Sequence, residues 1–387
     1  MVETPVAIIG AGLGGLCLAQ ALTRAGIDCA VYERDAALDS RPQGYRLRID
    51  ADGQAALAHC LPPSLYDLFR RTCARPGPMP RFLDSGLDVK AARAPASWET
   101  GAGPDDGADL CAHRQTLREI LMRGIEPRVH FGKTFDVLAV RADGGARVTF
   151  SDGTHINAGL VVAADGLNSS VRRLLAPQAD PLDTGAVCLY GRTTLTPPVR
   201  VAVGDVLVAG TTVVFADGCA AVIDPMRFDW PAAAGGLTRA TDYLYWALVA
   251  PRSRLGAPGP VLGMAAADVA GRLMDGWHPH LRALVDFADA DGLALVPVRS
   301  ARLARTWPAW GDGPVTFLGD AIHAMSPAGG LGANTALRDA AELAARLAGP
   351  LSPQAAARDY EIEMRTRAAR AIHLSEQGAA ALFADVI

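Results

Sequence analysis

Pro5-Val-Ala-Ile-Ile9 is a short unbroken apolar run, and Gly10-Ala-Gly-Leu-Gly-Gly15 follows it directly. From Leu16 to Ala25 apolar residues recur at helical spacing and stop at Gly26, a C-cap residue; Ile27 to Glu33 is apolar again. That order predicts strand, glycine turn, helix, strand: a βαβ unit with parallel strands and a right-handed crossover. Past Arg34 the pattern loosens until His113 to Met122, which predicts a helix. Arg128 to Val140 and Ala146 to Phe150 read as strands, with Ser151-Asp-Gly153 as a turn, and Gly159 to Ala164 reads as a buried strand.

Beyond Asp183 the character changes. Val206–Ala209, Thr211–Phe215, Ala220–Ile223 and Tyr243–Ala250 are strand-like runs separated by Gly, Pro and Asp, the pattern of an antiparallel sheet inserted into the first lobe. Val315 to Leu318 returns to a buried strand ending in Gly319-Asp320, and from Asn334 onward the chain reads as mostly helical. The expected fold class is α/β: a Rossmann-like domain, an inserted antiparallel-sheet domain and a C-terminal helical segment.

Composition narrows the function classes. The 387 residues are 50% hydrophobic and 20% charged, which suits two or three compact lobes able to enclose a cofactor. A formal charge of −4 gives no polyanion-binding surface, so no nucleic-acid partner is expected. Seven cysteines without a CxxC pair fit buried thiols in a reducing compartment, not a disulfide frame or a metal site. The apolar stretch from Val6 to Leu22 follows Glu3 and is divided by glycines, unlike a signal peptide or a membrane helix. A cytoplasmic protein without a membrane partner is expected, as a monomer or homodimer.

Gly10, Gly12 and Gly15, with Gly14 in the same turn, form GxGxxG between a strand and a helix. The first glycine permits the tight turn, the second lets the backbone approach a pyrophosphate, and the third lets helix and strand pack closely. Glu33 closes the second strand about 20 residues on, where a carboxylate accepts hydrogen bonds from ribose hydroxyls and repels a ribose phosphate. Arg34 follows it. Two further segments bear on which dinucleotide is bound. Val161-Val-Ala-Ala-Asp-Gly166, with Asn168-Ser-Ser-Val-Arg172 after it, places Asp165 beyond a strand. Val315-Thr-Phe-Leu-Gly-Asp320 is followed by Ala321-Ile-His323 and Pro327-Ala-Gly-Gly-Leu-Gly-Ala-Asn334.

These three elements, in this order, resemble the single-component FAD-dependent aromatic hydroxylases of the para-hydroxybenzoate hydroxylase fold, over nearly the whole chain. The resemblance implies an FAD-binding domain at 1–73, 101–180 and 281–387, and a substrate domain at 74–100 and 181–280. It implies that Asp320, beside Gly319, hydrogen-bonds a ribityl hydroxyl of FAD. Pro327, Gly330, Leu331, Gly332, Ala333 and Asn334 would follow the isoalloxazine edge into a helix whose N-terminal N–H groups meet the charge of reduced flavin. Such a terminus is worth up to about 2 kcal/mol toward a partly buried charge. His113-Arg114-Gln-Thr-Leu117 is similar to the segment whose arginine reaches back to FAD. Gly44-Tyr-Arg46-Leu-Arg48 is similar to the segment beside the ring, with either Arg46 or Arg48 facing it. Arg46 and Pro327 are the catalytic candidates, and Arg48 joins the cofactor set. The family usually has glycine where Ala163 stands and a polar residue where Leu331 stands.

The implied function is an NAD(P)H-consuming monooxygenase that hydroxylates an aromatic or polyketide-like small molecule with O2 through a flavin C4a-hydroperoxide. The same frame also serves Baeyer–Villiger oxidation, epoxidation or oxidative rearrangement, and a non-catalytic small-molecule binder is a third reading. Between Arg34 and Val315 there is no second dinucleotide motif, so NADH or NADPH is expected as a transient co-substrate. The cofactor carries the hard chemistry, while the protein orients the substrate and excludes water. Tyr190, Arg192, Phe215, Met226 and Trp246 on the inserted sheet are the substrate-lining candidates. Trp277-His-Pro-His280 reads as a loop and not a metal pair, and His323 as a structural hydrogen-bonding group. Trp307-Pro-Ala-Trp310 is similar to the tryptophan pair of flavin halogenases, but neither Lys90 nor Lys133 lies near a matching motif.

Overall fold

The computed structural model describes residues 3–40, 45–75, 77, 80–90, 109–255, 261–301, 310 and 313–382. Gly44, Trp307 and the stretch 91–108 assigned to the two lobes lie outside them.

The first sheet is built on β1 (Glu3–Ile9), with β2 (Cys29–Tyr32) and β9 (His155–Ala163) parallel to it on either side. Outside β2 lies β6 (Val129–His130), and β16 (Val315–Phe317) runs parallel to the end of β9. The hairpin of β7 (Phe135–Val140) and β8 (Ala146–Phe150) pairs antiparallel with the start of β9, completing seven strands. The central strands are buried on both faces, as the continuous apolar runs required. Helix α1 (Leu13–Arg24) packs on α10 (Gly332–Leu347), which also packs on α2 (Ala51–Cys60) and α11 (Pro353–Leu382). Between α2 and α10 lies α3 (Pro63–Thr72) and later α4 (Arg114–Met122), then the short α5 (Ser170–Leu175) and α9 (Asp320–His323). Helices α2 and α3 fall in the stretch where the sequence pattern loosens. Gly53 and the Pro62-Pro63 start interrupt an apolar stripe that only tertiary contacts complete.

The second sheet also has seven strands: β14 (Val261–Leu262), β15 (Ala294–Ser300), β10 (Leu182–Thr194), β13 (Tyr243–Pro251), β12 (Cys219–Met226), β11 (Thr212–Ala216) and β4 (Arg81–Leu83), in that spatial order. All pair antiparallel except β4, which is parallel to β11. One face packs on α6 (Pro197–Ala209), α7 (Met264–Leu273) and α8 (Pro279–Asp286) through Leu189, Trp246, Leu248 and Leu295. Alternate residues, among them Tyr190 and Tyr245, form the opposite face. A two-stranded ribbon, β3 (Arg46–Ile49) with β5 (Leu110–His113), touches both lobes: Arg46 pairs with Asp224 of β12, and Asn334 of α10 binds the Arg48 carbonyl.

Two expectations change. Val206–Ala209 is helical, not a strand; it ends α6, which begins at Pro197 and breaks at Gly204 (φ +71°). A four-residue apolar run has no period of its own, so its neighbours decide. The second sheet also continues past residue 280, because β15 pairs with β10 and β14. Among the described residues no helix is long and apolar enough to cross a membrane.

Candidate functional site

Register brings three turns together. Ile9 pairs with Ala163, and Ala163 with Phe317. The segments that follow, at Gly10, at Asp165-Gly166 and at Gly319-Asp320, therefore emerge side by side at the carboxyl ends of parallel strands, where open α/β sheets take ligands. Ala163 itself is fully buried in this register, so its methyl joins the core.

The glycines of the first turn have different reasons to be glycine. Gly10 has φ +110°, and a Cβ there would sit 2.4 Å from the Ala164 carbonyl oxygen. At Gly15 it would sit 2.1 Å from the Gly10 oxygen, and at Gly14 2.6 Å from a Leu318 methyl. Gly12 has no such neighbour; the nearest atom is 3.9 Å away. It caps α1 without a side chain, leaving the first N–H groups of the helix open to a groove of about 230 Å³.

Groups with unused capacity line that groove. Glu33 accepts N–H bonds from Ala11 (2.7 Å) and Asp35 (2.9 Å), one on each oxygen, and each oxygen keeps a further lone pair. Asp165 spends Oδ2 on the Ser170 N–H (2.8 Å), while its buried Oδ1 has no hydrogen-bond partner among the described residues. The buried Nε of Arg114 is also unpartnered. Arg114 starts α4, capped by a His113 that burial keeps neutral, its pKa lowered to about 4. Burial pulls the Arg114 guanidinium below its ordinary value, and Asp320 and Tyr190 act in the other direction. That ties the groove to the third turn and to the second sheet. Arg34 and Arg118 also line the groove, and Arg118 donates to the Leu38 (2.6 Å) and Ala11 (3.2 Å) carbonyls.

Asp320 is exposed at the start of the short α9. Desolvation raises its carboxyl above the ordinary aspartate range against the opposing charges of His323, Arg114 and Arg172. Gly319 beside it (φ +61°) donates its N–H to Asp339 (3.0 Å). Asp339 is fully buried, with His323 at 2.5 Å and Arg367 at 2.8 Å. The structural reading of His323 thus holds. Pro327–Gly329 form one tight turn, Gly330 is left-handed (φ +63°), and α10 starts at Gly332 with no side-chain cap. Asn334 faces inward. Its amide donates to the Arg48 (3.1 Å) and Gly330 (3.2 Å) carbonyls and accepts from the Asp50 N–H (3.3 Å), pinning the loop to the ribbon.

Arg46 and Arg48 are two residues apart on β3 and so share a side of it. Arg46 forms an ion pair with Asp224 beneath the second sheet; Arg48 pairs with Asp109 (2.5 Å) and lies beside Gly330. Of the five substrate-lining candidates, Tyr190 and Phe215 lie on the sheet face toward this region, Phe215 packing near Ala328 of the loop. Arg192 is on the same face but is held by Asp289 (2.7 Å) and lies over the Tyr45 ring (4.8 Å). Met226 is fully buried under Tyr45 and Tyr243. Trp246 is a correction: one residue of register puts it on the helix-covered face, its Nε1 donating to Thr193 (3.0 Å).

Sequence reasoning missed Arg172, Asp339 and Asp224 as site residues. Arg172 is buried and donates to the carbonyls of Leu167 (2.7 Å) and Ala321 (2.8 Å), tying the second turn to the third. Their signal is tertiary, since each acts on backbone or side chains far away in sequence.

The donor set fits a dinucleotide: an uncapped helix start and an arginine whose Nε has no partner among the described residues for phosphates, carboxylates with spare lone pairs for sugar hydroxyls, and a second uncapped helix start for a ring that gains negative charge. The comparisons agree. A family model described as FAD binding domain matches residues 3–48 and 279–375. The chain is 37% identical to a dual O-methyltransferase/FAD-dependent monooxygenase of Cercospora beticola over 98% of its own length, but spans 46% of that protein. It is 30% identical to the 2-heptyl-3-hydroxy-4(1H)-quinolone synthase of Pseudomonas aeruginosa, covering 88% of this chain and 79% of that one. A solved structure from Photorhabdus luminescens, described as an FAD-containing monooxygenase, matches with a TM-score of 0.81 at 29% identity, over 99% of this chain and 100% of that one. The cofactor is FAD, and the chain belongs to the family of FAD-dependent monooxygenases.

Proposed function

We propose that this chain hydroxylates an electron-rich aromatic or polyketide-like small molecule, consuming NADH or NADPH and O2. The observation that carries the reading is the set of polar groups with spare hydrogen-bonding capacity beside the glycine turn, Glu33, Asp165 and Arg114, of which Arg114 also feels the charge of Asp320 and of Tyr190 on the second sheet. When bound, FAD supplies electron transfer from the nicotinamide and activation of O2. The N–H groups around Gly12, with Arg114, would hold its phosphates, and Glu33 a ribose. Asp165 and Asp320 would bind hydroxyls with their free oxygens. Pro327 to Gly332 would set the ring plane, and Asn334 would hold that loop against the ribbon. The α10 N-terminus would favour the anionic reduced ring. Tyr190 and Phe215 would face the substrate and shield it from water.

The relatives that join an O-methyltransferase to a monooxygenase in one chain favour a phenol here, because a ring hydroxyl is a group both chemistries share. The test is a visible spectrum of the purified protein followed by NAD(P)H oxidation across a phenolic panel under ¹⁸O2. The expected result is substrate-stimulated oxidation with one labelled oxygen in the product. If labelled oxygen enters no product across the panel, the reading fails.

A further inference from the structure

Helix α11 lies along the third turn as a splint. Tyr360 donates its hydroxyl to the Phe317 carbonyl (3.1 Å), Arg367 pairs with the Asp339 that holds the Gly319 N–H (2.8 Å), and Ser375 donates to the Ser326 carbonyl (2.6 Å). These ties are seven and eight residues apart, about two turns each, so one side of the helix follows the chain from the end of β16 to the loop before α10. Met364, Ala368 and Ile372 between them are fully buried.

Ser375 is the odd member of that side. A buried hydroxyl costs free energy unless it is bonded, and within a helix its usual acceptor is the carbonyl one turn back. Ser375 is fully buried, and its bond leaves the helix instead. The carbonyl it holds stands at the entry of the Pro327–Gly329 turn, where the Ser326 hydroxyl also accepts the Ala328 N–H (3.3 Å). At Gly329 no side chain separates loop from helix: a Cβ there would sit 3.2 Å from the Ser375 Cα. One turn further along α11, Ala379 packs in a cluster with Ala328 of the loop and Phe215 of the second sheet. The far end of the loop is held through the Gly330 carbonyl by Asn334 (3.2 Å). Both ends are thus pinned, and the middle rests on α11.

We propose that Ser375 is a positioning residue: with Gly329 it sets the height of this loop, and so where the uncapped start of α10 stands relative to the flavin ring. The proposal rests on the reading above that the loop borders the ring. Its sign follows from charge. A helix N-terminus favours the anionic, reduced ring over the neutral, oxidised one, so a loop that slips should cost the reduced form more. A fastening that served the fold alone would cost both forms equally.

The experiment measures the midpoint potential of the FAD-loaded protein against a reference dye, with melting of the flavin-free protein alongside. Ser375→Ala should cut the preference for reduced over oxidised FAD about three- to tenfold, read as a potential lower by about 15–30 mV for two electrons. Ser375→Thr keeps the hydroxyl and should return most of that shift. Gly329→Ala presses a methyl toward the Ser375 backbone with the hydroxyl intact, and should lower the potential in the same direction. A Ser375→Ala protein that melts earlier but keeps its potential overturns the proposal, as does a Thr variant that behaves like Ala. Should Ser375→Ala not fold, Gly329→Ala decides, and an unmoved potential there overturns the proposal. Asn334→Ala, which frees the other end of the loop, separates the two readings. If it alone lowers the potential, the loop borders the ring and only the role of Ser375 is lost; if no variant does, the placement of the loop falls with it.

Discussion

The two lobes meet the same cofactor problem with opposite economies. In the first, function sits on the backbone at strand ends, and buried side-chain atoms are left without partners among the described residues: Asp165 Oδ1 and Arg114 Nε. In the second, the strands are regular, and function depends on which of two faces a residue joins. One face is filled by helices, and the other carries Tyr190, Tyr245 and Asp224. A turn motif tolerates little change of residue at a fixed place, whereas a sheet tolerates much change as long as alternation is kept. That contrast explains why the nucleotide lobe carries recognisable motifs and the inserted sheet does not.

Asp339 offers the largest break in the comparison, because it is the carboxylate of the first lobe that the protein has used up. Asp339→Asn leaves buried His323 and Arg367 without their counter-charge and should cost about 3–5 kcal/mol of stability, read by denaturant titration. The pH dependence has two edges. Asp339 lies below the ordinary aspartate range because His323 and Arg367 counter its desolvation, so its contribution is present above that range and lost as pH falls through the lowered value. His323 lies above the ordinary histidine value because Asp339 outweighs burial, so its contribution is full below that value and lost as pH rises through the raised one. Stability in the mutant should lose both edges.

Asp320→Ala comes next. It removes an exposed carboxylate with no side-chain hydrogen bond or ion pair among the described residues, so the fold should hold while FAD binding weakens by about 1.5–3 kcal/mol, roughly 10- to 150-fold, measured by flavin fluorescence on titration. Unchanged retention would mean that Asp320 does not face the cofactor. Gly12→Ala sharpens the same point. Its Cβ meets nothing closer than 3.9 Å, so melting of the flavin-free protein should be unaltered while FAD affinity drops on the order of tenfold, about 1.4 kcal/mol. Gly15→Ala, with its Cβ 2.1 Å from a carbonyl oxygen, should instead damage the fold itself. Smallest is Trp246→Phe, which loses the bond to Thr193 and about 0.5–1.5 kcal/mol of stability. KM for the substrate should not move; if it does, the assignment of that face is wrong.

Much of the first lobe was legible because its demands are local. Gly10 and Gly15 are forced by contacts within the turn and its neighbouring strands, and Glu33 by its place at the end of β2. The helix starting at Gly332 and the strand ending before Gly319 followed from apolar runs and glycines together. The second lobe was legible as a sheet but not as a site. Trp246 and Tyr245 are adjacent in sequence and both aromatic, and composition cannot tell which of them faces the helices.

The amino-acid sequence by itself determined the βαβ entry, the three turns and a dinucleotide as the ligand, since each needs particular residues at short, fixed spacing; FAD in particular followed from the resemblance to a known family. Only the tertiary structure decided that Arg172 ties two of those turns together, that Asn334 pins the loop to the ribbon, and that Arg46 meets Asp224. The physical reason is reach. Backbone conformation is dictated by neighbours in the chain, while the partner of a buried charge is whatever the packing of distant segments brings within about 3 Å.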